Sequence, residues 1–274
     1  MDSTKNVVCV KWGALYGPEY VNRLYAMVAR HITPPFRLVC LTDDRKGIRP
    51  EVECFDLPDL GCAHPVGTMG KWRKQILWGR EVPGLSGVAL FIDLDSVIVG
   101  SLDEYFSYGS PDDVILARNW ALPFRKQGQT SVFRYPVGGN PHILEDFRAD
   151  PQGIADKYQF EQHYVTAAAK GGIKFWPEGW TRHFRLHCLP KFPLRYFMTA
   201  KLPAQARIVT FPGGPNPDDV QVGRWNKRVQ AHRGRWAHLV ATFGDSSHRV
   251  DKSRWRHLQR YVLPVPWIAE HWRE

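Results

Sequence analysis

The chain contains no apolar run approaching the ~18 uninterrupted residues of a membrane-spanning helix. Its opening, MDSTKNVVCVKWG, holds too short an apolar stretch for a secretory signal, so the expectation is a cytoplasmic protein. Paired-cysteine chemistry is also missing. The five cysteines, Cys9, Cys40, Cys54, Cys62 and Cys188, are odd in number and form neither a C-x-x-C nor a zinc-like spacing, so they read as reduced thiols. There is no internal repeat and no low-complexity linker, which argues against solenoids and flexible arrays.

What is present is the composition of a folded globular protein: 274 residues, 43% hydrophobic and 23% charged. That length supports a core without disulfide help. The expected organisation is one catalytic-sized domain over 1–222 with an extension over 223–274. The formal charge of +10 is uneven, because from Gly223 onward 11 Lys and Arg face 4 Asp and Glu. The same stretch carries Trp225, Trp236, Trp255, Trp267 and Trp272. A basic, Trp-rich segment fits an anionic partner such as the inner membrane face. A solvated helical surface with its tryptophans docked on the core fits equally well.

Along the chain, Val7 to Val10 predicts a strand, YVNRLYAMVARHI an amphipathic helix and FRLVCLTDD a second strand. Thr68 reads as the cap of a helix over 70–79 that places Lys71 and Lys74 together on one side. VALFID is a third strand, PDDVILARN a fourth, and TSVFRYPVG a fifth with a polar entry. FEQHYVTAAAKGG predicts a helix stopped by Gly171 and Gly172. RIVTFPGG is a last strand that runs into a Gly- and Pro-rich loop. Strands alternating with helices predict an α/β fold with a mostly parallel central sheet. Asp93 and Asp95, in ALFIDLDSVIVG, then fall at the carboxyl end of a buried strand, the edge where open α/β sheets bind ligands. Two like charges one residue apart require a cation, hydrogen-bond donors or solvent. One alternative is a strand-end turn whose backbone N–H groups satisfy both carboxylates. Asp103 and Glu104 read as the acidic start of a helix.

The order of these motifs resembles the GT-A type nucleotide-sugar glycosyltransferases, closest to glycosyltransferase family 8 and its bacterial relatives. The residues carrying the likeness are the LTDD-ending strand, the Lys-bearing segment, FIDLD, TSVF, the EQ pair and the late F-x-G-x-x-x-P loop, over roughly 7–220. The resemblance implies a GT-A fold and transfer of a hexose from a nucleotide sugar, a UDP-sugar, to a glycan or lipid-linked acceptor with retained configuration. It implies Mn²⁺ or Mg²⁺ held by Asp93 and Asp95. It places Lys11, Tyr16, Asp43, Lys71, Lys74, Ser131, Gly213 and Asn216 around the donor, with Asp44 near Asp43. Glu161 and Gln162 match the pair beside the anomeric carbon; only Glu161 has a basicity useful for catalysis. Each residue also has an ordinary reading: packing for Tyr16, a polar turn for Asp43 and Asp44, solvated lysines, a strand-edge hydroxyl for Ser131, and an exposed helix face for Glu161 and Gln162.

The late loop departs from the family pattern. Thr210-Phe211-Pro212-Gly213-Gly214-Pro215-Asn216-Pro217 has no histidine beside Phe211, and Asn216 stands where the family places a lysine. His183, His187 or water could complete a metal shell, arginines from 182–195 could share the phosphate charge, or transfer could be lost, leaving a nucleotide-sugar-binding pseudoenzyme. A nucleic-acid-binding protein is a further alternative that the basic charge suggests and no motif supports.

Overall fold

The computed structural model describes residues 4–122, 124–227, 234–244 and 246–274. In chain order the strands are β1 (Lys5–Lys11), β2 (Phe36–Thr42), β3 (Glu53–Asp56), β4 (Val88–Ile92), β5 (Val97–Ile98), β6 (Val114–Arg118), β7 (Gly128–Pro136), β8 (Ile173–Phe175), β9 (Thr181–His183) and β10 (Ile208–Thr210). The helices are α1 (Pro18–His31), α2 (Asp103–Ser107), α3 (His142–Ala149), α4 (Pro151–Tyr158), α5 (Glu161–Ala168), α6 (Pro217–Gln221), α7 (Arg235–Phe243), α8 (Arg254–Gln259) and α9 (Pro266–His271).

These elements form two compact units, Met1–Leu94 with Ser101–Glu178, and Asp95–Gly100 with Gly179–Glu274. The expected boundary at 222/223 therefore falls inside the second unit. Asp95–Gly100 joins that unit because β5 pairs antiparallel with β10, more than a hundred residues downstream. Asp93 and Asp95 lie on either side of the division.

The first unit carries a seven-stranded sheet in the order β3-β2-β1-β4-β7-β6-β8, parallel except for β7, which runs antiparallel to both β4 and β6. Its central strands are dry on both faces, as the β-branched run Val7-Val8 and the segment Leu90-Phe91-Ile92 predict. The first expected helix is α1: Pro18 starts it, and Tyr20, Val21, Leu24, Met27 and Val28 bury one stripe at the spacing read from the sequence. The expected helix over 70–79 is instead a 3₁₀ run, Trp72–Trp78. Thr68 does not cap it; its hydroxyl accepts a bond from the Trp72 indole at 3.0 Å. Two aromatic anchors set this tighter winding. Trp72 stacks on Phe147 of α3 at 5.1 Å, and Trp78 stacks on Phe133 of β7 at 5.5 Å. In consequence Lys71 and Lys74 do not share an exposed face: Lys71 is exposed and Lys74 is buried.

The second unit holds the sheet β5-β10-β9 and helices α6 to α9. Trp225 and Trp272 are buried there, and the Trp267 indole donates to the Ala200 carbonyl at 3.1 Å, so three of the five C-terminal tryptophans dock on their own unit. Trp236 and Trp255 stay exposed. All five cysteines are free thiols.

Candidate functional site

Strands β1, β2 and β4 run parallel and deliver their last residues to one edge of the sheet: Lys11, Thr42 and, just past Ile92, Asp93. The antiparallel strand β7 begins at that edge, so its polar entry Gln129-Thr130-Ser131 lies beside Asp93. The Asp93 N–H donates to the Ser131 carbonyl at 2.8 Å, extending the β4–β7 ladder by one bond.

The Asp93 carboxyl meets a cation from its own chain. Lys74 Nζ lies 2.6 Å from Asp93 Oδ1, donates to the Thr130 carbonyl at 3.3 Å and sits 4.9 Å above the Phe91 ring. The Ser131 hydroxyl is a further partner of the carboxyl. Burial pushes the Asp93 carboxyl above the usual carboxylate range; Lys74 and Ser131 oppose that shift and the Glu161 charge adds to it. At Asp93, a turn of backbone amides is thus replaced by a side-chain ion pair, in which Asp93 keeps 23% exposure and Lys74 keeps 9%.

Glu161 opens α5 and is buried, with 7% exposure, which rules out the simply exposed helix face for this residue. Its Oε1 accepts from the Thr130 hydroxyl at 3.2 Å and its Oε2 from the Lys71 backbone N–H at 3.0 Å. Lys71 therefore contributes its main chain to the cluster. The next residue, Gln162, is half-buried, and its backbone carbonyl accepts from Gln127 and Thr166. Thr130 and Gln129 are members that motif reading passed over. Gln129 clasps Ser131 twice, donating to its hydroxyl at 2.6 Å and accepting from its N–H at 2.9 Å. The signal for both was the run of polar residues opening an otherwise apolar strand.

Toward β2 the same edge carries Lys11, buried at the end of β1, whose ammonium donates to the Asp44 carbonyl at 3.2 Å. Asp43 Oδ2 accepts from the Gly13 N–H at 2.8 Å, holding the loop after β1, and the Tyr16 ring packs on Tyr20 at 4.6 Å. Asp44 forms a local turn through the Lys46 N–H. Asp103 and Glu104 begin α2 as expected.

Gly213, Asn216 and the two candidate histidines belong to the second unit. Gly213 and Gly214 have φ of +73° and +72°, a left-handed turn suited to glycine. Asn216 is the N-cap of α6 and donates its N–H to Asp219 Oδ2 at 3.3 Å. His183 Nδ1 accepts from the Arg185 N–H at 3.1 Å, and His187 Nδ1 accepts from the His183 N–H at 2.9 Å. In the neutral imidazole this arrangement leaves the ring proton on Nε2. Among the described residues no group of three or more His, Cys, Asp and Glu is placed to hold a metal ion.

His183 supplies a pH prediction. Burial first, then the Arg185 and His187 charges, lower its pKa to about 3. The unfolded chain therefore binds a proton that the folded chain refuses. The stability His183 contributes is complete above pH ~6.5 and declines as pH falls toward 3, by roughly 4 kcal/mol over that window. Urea titrations between pH 7 and 4 should show a steeper acid loss for the wild type than for His183→Gln. Equal slopes would remove His183 from the acid response.

No protein-family model and no curated protein matches the chain. Solved structures do. A galactosyltransferase, LgtC, in complex with donor and acceptor sugar analogues superposes with a TM-score of 0.56 at 10% identity, over 77% of this chain and 88% of that one. The glycosyltransferase GlyE of Streptococcus pneumoniae TIGR4 gives 0.54 at 13% identity, over 93% of this chain and 63% of that one. The bifunctional glycosyltransferase WbbM gives 0.53 at 12% identity, over 82% of this chain and 48% of that one. At these identities the likeness establishes the fold, which is that of the GT-A glycosyltransferases.

Proposed function

We propose that this GT-A protein is a hexosyltransferase of the family 8 type, which moves a sugar from a UDP-sugar to a glycan or lipid-linked acceptor in polysaccharide biosynthesis. The observation that carries the reading is the Lys74–Asp93–Ser131–Glu161 cluster at the carboxyl edge of β4, where GT-A sheets receive nucleotides. Lys11, Tyr16 and Asp43 line the same edge toward β2 and are assigned to the nucleoside. Gly213 and Asn216 are assigned to the diphosphate.

The donor chemistry suits a hard divalent cation, Mn²⁺ or Mg²⁺. Asp93 and Asp95 would supply carboxylate oxygens to it, and nucleotide sites commonly hold Mg²⁺ with one or two carboxylates besides phosphate and water. When bound, the cation would stabilise negative charge on the leaving diphosphate. Lys74 adds a fixed positive charge at the same carboxylate, which keeps Asp93 from being an isolated buried anion.

In the reaction the bond between the anomeric carbon and the phosphate oxygen breaks, and its electron pair leaves with the diphosphate. The acceptor oxygen bonds to that carbon on the same face, and its proton passes to the departing phosphate oxygen. Glu161 has both oxygens committed to hydrogen bonds, which lowers its nucleophilicity and favours a role in orienting a sugar hydroxyl over a covalent step. Gln162, one residue on, is assigned to the donor sugar.

The test is a panel of UDP-hexoses followed for UDP release with Mn²⁺, with Mg²⁺ and after chelation. The expected result is slow release with at least one donor that falls tenfold or more on chelation. Saturable UDP binding without turnover would replace this reading by the pseudoenzyme, which the non-histidine loop at Phe211 favours. No binding of any nucleotide sugar would remove both.

A further inference from the structure

Three of the five cysteines stand side by side across adjacent strands. In the register of the sheet, Cys9 of β1 lies opposite Cys40 of β2, and Cys40 lies opposite Cys54 of β3. These strands run parallel, so residues in register point to one face, here the face opposite Val8, Val10, Val39 and Leu41 of the core. The row is continuous: the Cys9 and Cys54 thiols each have the Cys40 thiol as a hydrogen-bond partner. Neighbouring strands lie ~4.8 Å apart. That spacing falls inside the range of ~4.4–6.8 Å between α-carbons that a disulfide requires.

The two ends of the row differ. Cys9 and Cys40 are fully buried, and their strands have a neighbour on either side. Cys54 is half-buried on β3, the four-residue strand at the edge of the sheet, which pairs only with β2. An oxidant therefore reaches the row at Cys54. Burial and the adjacent Cys40 push the Cys54 thiol up, while the Arg45 and Lys11 charges favour its thiolate. To join, two β-carbons must close to ~3.8 Å. A short edge strand can make that shift; β1, clamped between β2 and β4, cannot.

We propose that Cys40 and Cys54 are a reversible redox pair, a modification site that hydrogen peroxide converts to a disulfide. The Cys54 thiolate attacks a peroxide oxygen: an S–O bond forms, the O–O bond breaks, and the released hydroxide takes up a proton. The Cys40 sulfur then attacks the Cys54 sulfur. The S–S bond forms, the S–O bond breaks, and the oxygen leaves as water with the proton given up by Cys40. Both sulfurs are oxidised by one electron each, and the peroxide is reduced by two. The ring so closed, 40–54, contains Asp43, whose carboxylate accepts from the Gly13 N–H at 2.8 Å. This inference is independent of the glycosyl-transfer reading, since it rests on thiol chemistry alone.

Exposure of the full chain to hydrogen peroxide, followed by alkylation in denaturant and tandem mass spectrometry, tests it. Two of the five thiols should escape alkylation, joined as Cys40–Cys54, and dithiothreitol should restore both. The linked protein should melt about 5 °C higher, because the cross-link constrains the unfolded chain. Cys54→Ser, a change at a half-buried edge position, should fold as the wild type does, form no link and show no such rise. Cys9→Ala should keep the link, which separates the edge pair from the inner one. A disulfide that uses Cys9, Cys62 or Cys188 in place of Cys54 overturns the proposal. So does Cys54 oxidised to the sulfinic acid while Cys40 is still alkylated. Five alkylated cysteines, after an exposure that fully oxidises dithiothreitol in a parallel sample, overturn it equally.

Discussion

Lys74→Met should destabilise the fold by about 2–3 kcal/mol, the largest stability effect expected of any single change at the sheet edge. Removing one member of a buried ion pair strands the other charge, an effect of roughly 3–5 kcal/mol in fully buried pairs. The 23% exposure of Asp93 moderates it. Met fills the volume of the lysine stem, so the loss reports the stranded carboxylate and not a cavity. The pair predicts its own rescue: in Lys74→Met/Asp93→Asn the charge is gone from both sides, and the double variant should be more stable than Lys74→Met alone. Urea denaturation of the four proteins completes the cycle. Lys71→Met, which removes an exposed ammonium while leaving the backbone N–H on Glu161, should change stability by less than about 0.5 kcal/mol. If Lys74→Met proved as mild as Lys71→Met, the ion pair would carry no energetic weight.

The largest effect on activity is expected from the two carboxylates. Asp93→Asn and Asp95→Asn should each lower UDP release by about a thousandfold, the equivalent of one unit-charge contact of roughly 4 kcal/mol at an effective dielectric near 20. The loss should lie mainly in kcat, because charge develops on the diphosphate as the bond breaks. The two variants should differ in structure-sensitive readouts. Asn at 93 frees Lys74 from its ion pair and should shift the melting temperature, whereas Asn at 95 should leave that pair intact. Melting curves and initial rates on the same preparations separate the two effects. Retention of full release by Asp95→Asn would restrict the proposed chemistry to Asp93 and Lys74. Retention by both would remove the cluster from catalysis.

Part of this was legible in the sequence because it is local. Hydrophobic runs and their period placed β1, α1, β2, β4 and α5, and the alternation of strands with helices predicted the parallel sheet. The position of Asp93 at a strand end followed from ALFID alone, since apolar residues that must be dry cannot continue through a carboxylate.

Other features depend on partners distant in the chain, and no local pattern encodes them. Periodicity suggested an ordinary helix for 70–79, but stacking of Trp72 on Phe147 and Trp78 on Phe133 winds it as 3₁₀ and turns Lys74 inward. The doubly charged motif raised the question of a cation, and only the packing of β7 against β4 brought Lys74, Thr130 and Ser131 around Asp93 to answer it. Pairing of β5 with β10 likewise assigned Asp95 to the second unit. Composition identified the C-terminal tryptophans, but the outward position of Trp236 in α7 was decided when His238 and His257 took the buried seam. Residue order determines what each segment can become; long-range burial and hydrogen bonding decide which side chains meet, because those free energies exist only once the chain has closed on itself.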